Sequence, residues 1–170
     1  GFGTHGHDNM EILTCVLKGA ISHKDSMGNA GDIKPGEWQL MSAGTGVRHS
    51  EINQYDEDVH LFQIWIIPNV KDAEPTYQQI QLDPKDAPNQ WHLIAGPNEN
   101  APMHLRQDAE VKTAVLEAGQ SLDVNKTQTF NYIHVVEGEV EIAGQIVKTG
   151  DALMFDENST VKANQNTQMI

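Results

Sequence analysis

A single cysteine stands among the 170 residues of the chain. Cys15 has no intrachain partner, which excludes a disulfide-stapled secreted scaffold and fits a reducing, cytoplasmic setting. No run approaches the roughly 18 consecutive apolar residues that a membrane-spanning helix requires. Cations are scarce: 11 Lys and Arg face 24 Asp and Glu, for a formal net charge of -13. They form no run, so repulsion disfavours direct binding of nucleic acid or an anionic membrane. Helical periodicity is nearly absent. So are a phosphate-cradling loop, a dinucleotide fingerprint and a nucleophilic Ser or Cys motif. The chain carries no initiator Met and opens inside a patterned segment, so it gives no information about a leader.

What remains is short apolar runs closed by turn residues. "MEILTCVL", "EWQLMSA", "VHLFQIWII", "VKTAVLEA", "YIHVVEGEVEIAGQIV" and "DALMF" are rich in β-branched and aromatic residues. Each ends at Gly, Pro, Asn or Asp, the pattern of strands joined by turns. An all-β sandwich or barrel follows. The chain also repeats loosely. "VLKGAI…IKPGEWQLM" and "VVEGEVEI…VKTGDALMF" match Gly19 with Gly138 and Gly36 with Gly150. Residues 68–90 read as a linker carrying one strand, "YQQIQL". The expectation is two similar β units, residues 1–78 and 79–170.

In a strand, residues i and i+2 point to the same face. "THGHD" therefore puts His5 and His7 on one side of a strand, and "VRHSEI" does the same for His49 and Glu51. Two readings stay open on chemistry alone. The pairs are ordinary surface histidines, or they converge as three imidazoles and one carboxylate on one ion. The imidazoles suit Zn, Cu, Fe or Ni, and the carboxylate admits harder metals such as Fe(II) or Mn.

"GFGTHGHDNMEILTCVLKGAISHKDSMGNAG", followed by "PGEWQLMSAGTGVRHSEIN", resembles the N-terminal cupin of the pirin family. The likeness is strongest to its bacterial members described as quercetin 2,3-dioxygenases. It runs almost unbroken from Gly1 to Ile67 and then thins to the glycine pattern of a second cupin. The resemblance implies a bicupin, two tandem antiparallel jelly-roll barrels, with the N-terminal one lacking its first strands and so exposing an edge. It implies one divalent transition metal per chain, held by His5, His7, His49 and Glu51. Fe(II) is the first expectation, with Cu, Zn, Mn or Ni as alternatives. The implied reaction is ring-opening of a small aromatic polyphenol such as quercetin by O2, with Glu51 as ligand and general base. The alternative from the same family is a non-catalytic, metal-binding, redox-responsive transcription cofactor acting on a protein partner.

Glu11 lies near the place where many cupins put a ligand carboxylate; the resemblance favours Glu51 and leaves Glu11 behind the ligands. His23, His60, His92, His104 and His134 lack a paired partner and are expected to be surface or packed residues, His60 being the best placed. Met10, Met27, Trp38, Met41, Phe62 and Trp65 are expected to line the barrel, and Cys15 to be an inert core thiol. In the second unit, aligning the glycines puts Val124 and Lys126 at the positions of His5 and His7. It puts Ala163 and Gln165 at those of His49 and Glu51, so no metal is expected there.

Overall fold

The computed structural model describes residues 1–127 and 129–170. Two compact units are present: residues 1–83 with 94–110, and residues 84–93 with 111–170. Eight strands come first: β1 (Phe2–His7), β2 (Glu11–Lys18), β3 (Ile21–Asp25), β4 (Ala30–Ile33), β5 (Glu37–Ser42), β6 (Val47–Ile52), β7 (His60–Ile66) and β8 (Thr76–Gln81). They form two antiparallel sheets, β1-β6-β3-β4 and β7-β2-β5-β8. Two short strands, β9 (His92–Gly96) and β10 (Met103–His104), then pair in parallel.

Eight more strands follow: β11 (Val111–Leu116), β12 (Ser121–Val124), β13 (Asn131–Glu137), β14 (Glu139–Ile142), β15 (Gln145–Lys148), β16 (Ala152–Phe155), β17 (Ser159–Ala163) and β18 (Thr167–Met169). One sheet runs β12-β17-β14-β15, and β11, β18, β13 and β16 pair in that order. Adding eleven to each label of β1-β6-β3-β4 gives β12-β17-β14-β15. The same shift takes β7-β2-β5 to β18-β13-β16. Each unit is thus an antiparallel jelly roll, and the chain is a bicupin.

The repeated glycines have a physical cause. Gly19 and Gly138 both have positive φ (71° and 107°). A Cβ on Gly19 would lie 2.5 Å from the Asp58 carbonyl oxygen, and one on Gly138 2.5 Å from that of Asn166. In both barrels the turn after the second strand of the repeat is pressed against the chain entering the seventh.

In the first barrel the inner faces meet through Ile12, Met41 and Val47 at one level and Val16, Ile21 and Ile33 at another. Polar residues occupy the space between these layers. Of the expected lining residues, Met41 is buried inside, with Met10 packed against its layer. Trp38 is buried on the other side of its sheet, because it alternates with the inward Gln39, and its Nε1–H donates to the Leu82 carbonyl. Met27 lies exposed in the turn between β3 and β4, and Trp65 is 55% exposed. Neither is part of a closed lining. β1 stands at a sheet edge, paired only with β6 among the described residues.

Candidate metal centre

Strand register brings the two histidine-bearing pairs together. β1 and β6 run antiparallel with His5 opposite His49, and β6 places Glu51 opposite His23 of β3. Alternation along these strands turns His5, His7, His49, Glu51 and His23 to the inner face. His5, His7 and His49 each offer a ligand atom within 4.8 Å of the others. Glu51 falls in a second set of that spacing, with His49 and His23, so His49 belongs to both. His49 and Glu51 are buried, whereas His5 and His7 are half-buried at the open side of the cluster.

The donors fit a metal ion. His5 Nδ1 lies 2.7 Å from the Gly3 carbonyl oxygen, so in the neutral ring it carries the proton and leaves the Nε2 lone pair free. The Nε2 atoms of His5 and His49 are 3.0 Å apart. Two nitrogens each about 2.1 Å from one ion and at right angles around it would be separated by about 3.0 Å. His7 Nε2 and His49 Nδ1 are buried and have no hydrogen-bond partner. Burial pushes the His49 imidazole down to about 4, with His5, His23 and His7 adding to the effect. Burial and the neighbouring His5 also lower His7. Both rings are therefore neutral at pH 7, as a ligand must be.

His23 is different. It is 2% exposed, and both its nitrogens are engaged, Nε2 with Asp25 Oδ2 at 3.1 Å and Nδ1 with Gln39 Nε2 at 3.4 Å. Asp25 also accepts from the backbone N–H groups of Met27 and Asn29 and from the Asn29 side chain. Burial alone would raise the Asp25 carboxyl, but the bonds from Asn29, His23 and Met27 outweigh it and hold it below its ordinary range. His23 is thus a packed wall beside His49 (ring centroids 5.4 Å apart) with no free nitrogen to offer.

The opposite sheet supplies Gln63 and Trp65. Gln63 Nε2 donates to both Glu51 oxygens, at 2.9 and 3.2 Å, and Trp65 Nε1–H donates to Gln63 Oε1 at 2.9 Å. The Trp65 ring meets His7 edge-on at 5.2 Å, and exposed Phe2 stands 6.2 Å from His5. His23 and Gln63 reach the cluster through contacts between strands, to His49 and Glu51; the only local signals were the i,i+2 pairs His23–Asp25 in "HKD" and Gln63–Trp65 in "QIW".

Glu11 is not behind the ligands. It lies an odd number of residues from the inward Thr14 and so faces the other way, accepting from the Ser42 hydroxyl and the Arg106 N–H. His60 is exposed beside Phe62, and His104 is exposed. His92 Nε2 contacts the Ala87 carbonyl, and the His134 backbone pairs with Ile170. In the second barrel β12 pairs with β17 as β1 pairs with β6, with Leu122 opposite Val161 and Val124 opposite Ser159. Leu122, Val124, Val161 and Ala163 pack in that barrel's hydrophobic core. Val124 and Ala163, matched by the glycines to His5 and His49, are among them, whereas Lys126 and Gln165 lie just beyond the ends of β12 and β17.

A family profile described as pirin matches residues 1–66, and one described as quercetinase C-terminal cupin domain matches residues 93–170. A protein of Escherichia coli (strain K12) named quercetin 2,3-dioxygenase is 39% identical over 175 residues, spanning 100% of this chain and 74% of the relative. A putative quercetin 2,3-dioxygenase of Zymomonas mobilis is 35% identical, with the same coverage of each chain. Among solved structures, the bacterial pirin YhhW of Escherichia coli in complex with nickel(II) superposes with a TM-score of 0.92 at 37% identity. That superposition covers 99% of this chain and 74% of the other. GK1651 of Geobacillus kaustophilus gives 0.85 at 26% identity, covering 99% and 75%.

Proposed function

The chain belongs to the pirin family, and we propose that it is a metal-dependent dioxygenase that opens the heterocycle of a flavonol such as quercetin. The observation carrying this reading is the cluster of three imidazoles, open to solvent on its β1 side and flanked there by the exposed rings of Phe2 and Trp65. Flat aromatic ligands are held by such surfaces.

In this reading His5, His7, His49 and Glu51 hold one divalent ion. The mixed nitrogen and oxygen set suits Fe(II), and nickel(II), bound by the relative YhhW, is compatible with the same donors. When bound, the ion supplies Lewis acidity that lowers the pKa of a substrate hydroxyl. Glu51, held by Gln63 beside His49, accepts the hydroxyl proton as general base. His5 keeps its Nε2 lone pair directed inward through its bond to Gly3, and His23 backs the His49 ring. The exposed aromatic rings orient the ligand. The deprotonated flavonol reacts with O2, and ring opening releases carbon monoxide.

The test is anaerobic loading with Fe(II) or Ni(II), then oxygen uptake and loss of flavonol absorbance on adding quercetin. Stoichiometric consumption of both supports the oxygenase. A protein that binds one metal per chain but consumes no oxygen with any flavonol is a metal-binding regulator instead.

A further inference from the structure

We infer that Trp65 and Gln63 form a directed hydrogen-bond relay that positions Glu51, with Trp65 acting through Gln63 rather than only as a ligand-contacting surface. The direction follows from the chemistry of the donors. An indole nitrogen can only donate. The amide atom facing Trp65 Nε1 at 2.9 Å must therefore be the Gln63 oxygen, which turns the amide NH2 toward Glu51. Without the indole N–H the amide could flip and present its oxygen to the carboxylate, replacing attraction with repulsion. Trp65 thus fixes which way Gln63 faces, and Gln63 fixes the carboxylate. Thr14, opposite Gln63 on β2, holds a weaker second contact with the same NH2 at 3.5 Å.

The layout suits transmission. Gln63 and Trp65 are two residues apart on β7 and share its inner face. Glu51 is buried on the opposite sheet, while Trp65 is more than half exposed and stands edge-on to His7. A side chain at the rim is thereby joined through two hydrogen bonds to a carboxylate inside the barrel. The inference rests on the proposed role of Glu51 as ligand and base.

A double-mutant cycle with Co(II) as the probe tests it. Trp65→Phe keeps a ring and removes the N–H; Gln63→Leu removes the amide at similar volume. The readouts are the Co(II) dissociation constant by chelator competition, the Co(II) ligand-field spectrum, and the kcat and KM for quercetin. Each single variant should weaken Co(II) binding several-fold and alter the spectrum. The double variant should bind no more weakly than Gln63→Leu, because the two residues act in series. Trp65→Phe should lower kcat with KM nearly unchanged, since the ring face remains. Thermal melts of the metal-free variants check folding, with Gln63→Met replacing a poorly folded Gln63→Leu. Wild-type affinity and spectrum in Trp65→Phe would overturn the relay. So would independent, multiplying effects in the double variant, or a change in KM alone. If the wild type turns over no flavonol, the oxygenase reading fails while the Co(II) cycle still decides the relay.

Discussion

Burial, and then the neighbouring imidazoles of His5, His23 and His7, hold the His49 ring neutral down to about 4, whereas an unfolded chain protonates histidine near about 6.5. Between those values the unfolded state binds the extra proton. The metal-free protein should therefore lose stability as pH falls from about 6.5 toward 4. One such group contributes at most about 1.4 kcal/mol per pH unit. His7, lowered by burial and by His5, acts in the same direction. Urea midpoints at pH 7, 5.5 and 4.5 measure this, and His49→Asn should flatten the profile; stability that rises on acidification would contradict it. Glu11 makes a sharp contrast with Glu51. Glu11→Ala should cost about 1–3 kcal/mol by stranding the Ser42 hydroxyl and the Arg106 N–H. Metal stoichiometry should stay at the wild-type value, which elemental analysis checks. Cys15, pushed up to about 12 by burial and then by Asp83, should react with a thiol reagent only after denaturation. The pairs His5–His7 and His49–Glu51 were legible because i,i+2 spacing in a strand fixes a shared face. Gln63 and His23 were not, since what ties them to the cluster, the bonds of Gln63 to Glu51 and the packing of His23 on His49, crosses between strands; the i,i+2 spacings to Trp65 and Asp25 do not report it. The face of Glu11 becomes clear only when its alternation is counted from Thr14, whose inward contact is a tertiary fact.

At the scale of elements, the glycines were the most readable feature, because Gly19, Gly36, Gly138 and Gly150 each take a positive φ that other residues rarely adopt. Gly138→Ala would put a Cβ 2.4 Å from Thr167 Oγ1 and 2.5 Å from the Asn166 carbonyl oxygen. Gly150→Ala has no atom within 4 Å and faces only the strain of φ 86°. Both should be destabilising, the second by about 1 kcal/mol and the first by clearly more; thermal melts rank them. Equal effects would show that the crowded turn relaxes freely. Lys126 and Gln165, matched by those glycines to His7 and Glu51, fall just past the ends of β12 and β17, because strand and turn lengths differ between the barrels and a fixed offset does not follow them. Strands with long apolar runs, such as β2, β5 and β13, were legible. Short ones such as β10, β12 and β18 have too few residues for alternation to show.

For the whole molecule, composition and turn density pointed to an all-β chain, and the shared strand order of the two barrels gives the repeat its structural meaning. The packing of residues 94–110 with the first unit left no mark in the sequence. Ile94, Ala95, Met103 and Leu105 are fully buried there, yet apolar residues in a short strand do not announce which core they join. Where one barrel packs Leu122, Val124 and Val161 in its hydrophobic core, the other gathers three imidazoles on its inner face. The central claim is that Glu51 serves that face as ligand and base. It is tested most directly by oxygen uptake with quercetin, comparing wild type and Glu51→Gln at equal metal occupancy. The account predicts oxygen consumption by the wild type and turnover slower by about 10²–10⁴-fold in Glu51→Gln. Wild-type rates in the matched Glu51→Gln protein would contradict it.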